Sequence, residues 1–111
     1  MSGSGGTVYD STRPRGACEC LTFRTVLNSP VPDVVSEIGK RAGVGLVRLV
    51  VEIEVRGTLR IAIASFEGRR AGAITSDALL WLLECIAAGN EYVAEVKTVF
   101  GARVEVQVMR K

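Results

Sequence analysis

The sequence predicts an α+β fold, an antiparallel sheet with two helices packed on one face, in the order β-α-β-β-α-β-β. Three observations predict it. Apolar and polar residues alternate from Val47 to Ala64 on either side of Arg56-Gly57-Thr58. A second pair of alternating runs, from Tyr92 to Met109, flanks Phe100-Gly101-Ala102. Two other stretches, around Val34 and around Leu80, carry apolar residues at helical spacing instead.

Each element follows from local chemistry. Residues 1–16 open with Ser and Gly and read as a flexible arm, with Arg13 and Arg15 near its end. Residues 17–111 then read as one domain. Leu21 to Val26 predicts a strand with Leu21, Phe23 and Thr25 on one face. Pro30 and Pro32 suit the start of a helix, where a missing N–H leaves no bond unmade. Val31, Val34, Val35, Ile38 and Ala42 give that helix its apolar face, and Gly43 stops it.

The central hairpin has an arguable register. A three-residue loop sets Val55 against Leu59, Ile53 against Ile61 and Val51 against Ile63, with Glu54 opposite Arg60. That loop keeps the large apolar residues on one face and is therefore expected. The polar stretch Ser65 to Arg70 leads into a second helix over Thr75 to Ala88. Thr75 or Ser76 is its expected N-cap, Asp77 lies in its first turn, and Gly89-Asn90 end it. The last hairpin is expected to pair Thr98 with Val104, Val96 with Val106 and Ala94 with Val108, and to set Lys97 opposite Glu105.

Composition narrows the function. The chain has 111 residues, 48% of them hydrophobic and 23% charged, which fits one ordered globular domain. A net charge of +2 does not by itself argue for electrostatic nucleic-acid binding. There is no His, so the usual neutral-pH base and the commonest metal ligand are missing. Cys18, Cys20 and Cys85 are odd in number and form no C-x-x-C pair, so they read as reduced thiols of a cytoplasmic protein. The longest apolar run, Ala78 to Leu83, is too short to span a membrane, and the N-terminus lacks a secretory pattern. No membrane partner is expected.

The second helix is the informative element. From Ala78 to Ala88 it is apolar around nearly its whole circumference, although a helix on a sheet needs an apolar stripe of only about 100°. Leu79, Leu80, Trp81 and Leu83 therefore read as a partner or dimer surface. The competing reading is that the C-terminal hairpin or the N-terminal arm folds over this helix. Arg69 and Arg70, beside the expected helix start, are candidates for holding a phosphate, but as a bare dipeptide they read first as a solvated pair after a strand. Cys18-Glu19-Cys20 is half of a metal site at most, so no metal and no cofactor are expected. Glu52 and Glu54 share a strand face, but Arg48, Arg56 and Arg60 lie among or opposite them, which predicts a solvated charged face. Nothing in the sequence supports an enzyme.

Three stretches carry a family resemblance. They are Val51-Glu52-Ile53-Glu54-Val55-Arg56-Gly57, then Leu59 to Ala64, then Arg70 to Ser76 running into Leu80-Trp81-Leu82. Together they resemble the small accessory subunit of the KEOPS complex, the CTAG/Pcc family. That family has a V-E-x-E-V-x-G hairpin and a long helix opening with an R-A-x-x-N-S-like sequence. The similarity covers about residues 46–88. Thr75 stands where the family has Asn, and the Tyr92–Met109 hairpin is additional. The resemblance implies a non-catalytic subunit that forms a homodimer and docks through its helices. Its partner would be the catalytic subunit that makes threonylcarbamoyladenosine in tRNA, and the subunit would help to hold the tRNA. Arg70, Thr75 and Ser76 match the motif, while Leu79, Leu80, Trp81 and Leu83 match the docking helix. Two alternatives remain: a small nucleic-acid-binding α+β module, and a dimeric domain that binds a small molecule or a regulatory partner.

Overall fold

The computed structural model describes residues 17–111, and the arm expected over residues 1–16 lies outside them. The elements are α1 (Ala17–Cys20), β1 (Thr22–Val26), α2 (Pro32–Ala42), β2 (Arg48–Arg56), β3 (Leu59–Phe66), β4 (Arg69–Ile74), α3 (Leu79–Ala87), β5 (Tyr92–Phe100) and β6 (Arg103–Arg110). All six strands form one antiparallel sheet in the order β1-β6-β5-β2-β3-β4. The α+β class is therefore as expected. The order differs by the short α1 and by β4. The expected packing of two helices on one face is not matched exactly, since α2 lies against β4 and β5 and α3 against β2 and β3.

β4 occupies the stretch expected to lead into the second helix. Glu67 and Gly68, with φ of 52° and 82°, form a tight turn that folds Arg69–Ile74 back on β3. Arg70 to Ile74 is thus strand, not the opening of a long helix. The second helix begins at Leu79 and not near Thr75, because Thr75 is already engaged. Its carbonyl accepts from Thr25 Oγ1 at 2.7 Å, and its hydroxyl accepts from Asn28 Nδ2. Ser76 instead closes a turn ahead of the helix, accepting the Ala78 N–H on Oγ and the Leu79 N–H on its carbonyl.

Those contacts belong to a closure of the sheet. Asn28, just beyond β1, exchanges both backbone hydrogen bonds with Ala73 of β4 at 2.8 Å. The chain after one edge strand thereby meets the other edge, and the sheet curls toward a barrel. Gly72 permits the crossing. A Cβ there would stand 3.0 Å from the Asn28 carbonyl oxygen and 3.0 Å from Leu27 Cβ. Gly72→Val is expected to lower unfolding stability by about 1–3 kcal/mol through overpacking, read as a shift in the urea midpoint.

Both expected hairpin registers are corrected. The β2–β3 connection is two residues, Gly57-Thr58, with Arg56 opposite Leu59, Ile53 opposite Ala62 and Val51 opposite Ala64. Gly57 has φ of 61°, which suits the first position of a tight hairpin turn that matches strand twist. The inward residues of β3 are therefore Ala62 and Ala64, both fully buried, while Ile61 and Ile63 lie half-buried on the outer face. The reason is volume. α3 packs on β2 and β3, and its buried Leu82 and Leu83 fill the space above small residues.

In the last hairpin, Val96–Val106 and Ala94–Val108 pair as expected. The turn is again two residues, so Val99, not Thr98, faces Val104. A bulge at Lys97 absorbs the difference and puts Thr98 opposite Glu105. The core is one cluster to which both long helices contribute, with Val34, Val35 and Ile38 from α2 and Leu82, Leu83 and Cys85 from α3.

Candidate interaction surface

α3 is held from two sides. Below it lie β2 and β3. At its far end a disulfide joins Cys85 to Cys18 of α1, with the two Cα atoms 5.6 Å apart. Tyr92, buried at the start of β5, donates its hydroxyl hydrogen to the Cys18 carbonyl. Burial pushes that phenol above its usual range.

The expectation of reduced thiols is thus overturned for Cys18 and Cys85, while Cys20 is free and exposed. Parity alone misses a pair separated by 67 positions when a third Cys lies nearby. Residues 18 and 20 lie on a helix, where they point apart: Cys18 toward α3 and Cys20 to solvent.

This packing sorts the apolar residues of α3. Leu82 is 0% exposed, and Leu83 and Cys85 are buried with it. Leu79, Trp81 and Ile86 are half-buried against the core cluster. The exposed stripe is Leu80, Glu84 and Ala87, spaced four and three residues apart on one face. Leu80 is its one large apolar side chain, 58% exposed. The outward surface of α3 is therefore narrower than its composition predicted. α1 is tied to α3 through Cys85, and Leu83 belongs to the protomer's own core. Leu79, Leu80 and Trp81 remain together at the surface. Val55 and Leu59, at the tip of the β2–β3 hairpin, are two further exposed apolar residues on the strands that carry α3.

The arginine pair is placed differently from expectation. Arg69 and Arg70 open β4 and lie five or more residues before the turn into α3, so they do not flank a helix N-terminus. As strand neighbours they point to opposite faces. Arg69 donates two hydrogen bonds to Glu37 of α2, at 3.0 and 2.6 Å. Arg70 donates to Glu54 at 2.8 Å, and Arg56 donates to the same oxygen at 3.3 Å. The structure does not bring the two guanidinium groups together. Glu52 accepts from the buried Ser65 hydroxyl at 2.9 Å. Glu54 stands opposite Ile61, not Arg60. The outer face is a mosaic of matched charges, with Glu95 between Arg48 and Lys97. Among the described residues no cluster of His, Cys, Asp or Glu is arranged to hold a metal ion.

Two of these carboxylates titrate low. The hydrogen bonds from Arg69 hold Glu37 below the usual carboxylate range, and Lys97, then Arg48, do the same for Glu95. A lowered acid stabilises the folded chain above its ordinary pKa of 4.5 and loses that contribution as pH falls through the folded value. The urea midpoint is therefore expected to fall on acidification below about 4.5. Arg69→Gln should flatten that fall, and an unchanged acid limb in this variant would contradict the pairing.

The fold and surface define a small α+β domain with a braced, partly apolar helix. Comparison with known protein families, with characterised proteins and with solved structures finds no match. No helix among the described residues is long and apolar enough to cross a membrane.

Proposed function

We propose that the chain is a non-catalytic subunit that acts by assembly, dimerising and docking through the surface of α3 centred on Leu80. Following the family resemblance, its larger partner is the catalytic subunit of a complex that makes threonylcarbamoyladenosine in tRNA. The observation that carries the reading is an exposed leucine on a helix fixed by a sheet beneath it and a disulfide at its end. An apolar side chain presented on a rigid support loses little freedom when it is covered, so more of its burial is realised as affinity. The absence of His supports a role without chemistry, as does the pairing of the outer-face carboxylates with arginines.

No phosphate contact is assigned to Arg69 or Arg70, because each would have to leave a carboxylate partner to make one. The nucleic-acid-binding reading gains no gathered basic face.

The test is co-elution of the full chain with the catalytic subunit of the threonylcarbamoyl-transferring complex from the same cell. Co-elution is expected for the wild type and for Lys111→Ala, and its loss is expected for Leu80→Glu. Failure of the wild type to co-elute would contradict the proposed partner. An undiminished Leu80→Glu complex would contradict the proposed surface.

A further inference from the structure

A second exposed apolar group lies at another place in the fold. Val44 is 86% exposed and Leu46 65%, both in the loop between α2 and β2. Phe100, which ends β5 at the β5–β6 turn, is 83% exposed. These two loops are neighbours. The Val96 N–H donates to the Val47 carbonyl at 2.9 Å. A methyl group placed on Gly39, near the end of α2, would touch Val99 Cγ1 at 3.6 Å. The loop after α2 and the tip of the last hairpin therefore project from the same end of the molecule.

Cations accompany them. Lys40 and Arg41 occupy the last turn of α2, Arg103 pairs across the turn with Phe100, and Lys97 sits in the bulge. Arg41 is matched by Glu67 and Lys97 by Glu95. Lys40 and Arg103 have no ion-pair partner among the described residues.

We propose that this end is a peripheral membrane-binding surface. Phe100, Val44 and Leu46 enter the interface of an anionic bilayer, and Lys40 and Arg103 meet its headgroups. The shape decides between a lipid and a protein occupant. A protein partner recognises an apolar site through rigid complementarity over a continuous patch. Val44, Leu46 and Phe100 instead stand on two separate loops and are largely exposed, a form that a fluid interface can close around. A Phe ring at the leading tip, beside Val and Leu side chains, suits burial at the boundary between headgroups and acyl chains. Cations with no ion-pair partner among the described residues favour anionic lipid within a Debye length. Attachment of this kind needs no spanning segment, so the shortness of the apolar runs does not oppose it. It departs from the expectation of no membrane partner, which rested on spanning runs alone.

The test is sedimentation of the full chain with vesicles of phosphatidylcholine alone and with vesicles in which half is replaced by phosphatidylserine. Binding is expected to the anionic vesicles, weakening as salt rises. Phe100→Ala is expected to lower the partition coefficient about tenfold. Lys40→Gln with Arg103→Gln is expected to remove most of the preference for phosphatidylserine. No binding of the wild type to either vesicle overturns the proposal. So does binding undiminished in Phe100→Ala.

Discussion

Replacing Cys18 and Cys85 together with alanine is expected to lower unfolding stability by about 4 kcal/mol, the chain-entropy value for a closed loop of this length. The bond spans 67 positions, so it restricts the unfolded chain across most of the described domain. A loss of that size is of the same order as the whole stability of a small domain, and the variant should melt well below the oxidised protein. The effect reaches beyond stability. The same bond fixes α1 against the end of α3, beside the Tyr92 hydroxyl contact to Cys18. Without it, α1 keeps its packing, that hydrogen bond and the ion pair from Glu19 to Arg110 of β6, and Leu80 sits on a less rigid support. Urea midpoints of the double variant and of the reduced wild type should coincide. Midpoints equal to that of the oxidised wild type would contradict the brace.

The second large effect separates two leucines two residues apart. Leu82→Ala is expected to cost about 2–5 kcal/mol, because Leu82 is fully buried in the core cluster and its loss leaves a cavity. Leu80→Ala should change stability by no more than about 0.5 kcal/mol, as an exposed substitution away from a cap or a network. Equal losses at the two positions would mean that α3 is rotated from the orientation described. The contrast also makes Leu80 usable as a probe, since its variants keep the fold on which assembly depends.

The parts of this fold that were legible in the sequence are those where one local signal decides. α2 ends at Gly43 as its spacing and its glycine imply, and β1 half-buries Phe23 and Thr25 between exposed Thr22 and Arg24 as its alternation implies. The four strands of the two hairpins are likewise plain in their alternation. Register was less accessible, because burial in the folded chain is set by what lies opposite. Alternation on β3 favoured Ile61 and Ile63 as core, yet α3 supplies the bulk and the sheet supplies alanine. β4 was concealed for a different reason. Its run Arg69–Ile74 has small residues and no strong alternation, and the Glu67-Gly68 turn that creates it is marked by a single glycine. The dipeptide between Phe66 and Arg69 was the available signal, and a weak one.

The candidate surface was half legible. The unusual apolarity of the second helix drew notice to Leu79, Leu80, Trp81 and Leu83. Which of them faces outward depended on the disulfide and on the sheet beneath, neither of which composition encodes. The arginine pair was misplaced together with the helix start. Once Arg69–Ile74 is a strand, alternation sends the two guanidinium groups to opposite faces, toward Glu37 and Glu54.

The most direct measurement is sedimentation equilibrium of the oxidised full-length chain across a wide concentration range, beside Leu80→Glu with its circular dichroism unchanged. The account predicts a reversible dimer for the wild type and a monomer at every concentration for the variant. A wild type that stays monomeric throughout, or a variant that dimerises as strongly, would contradict it.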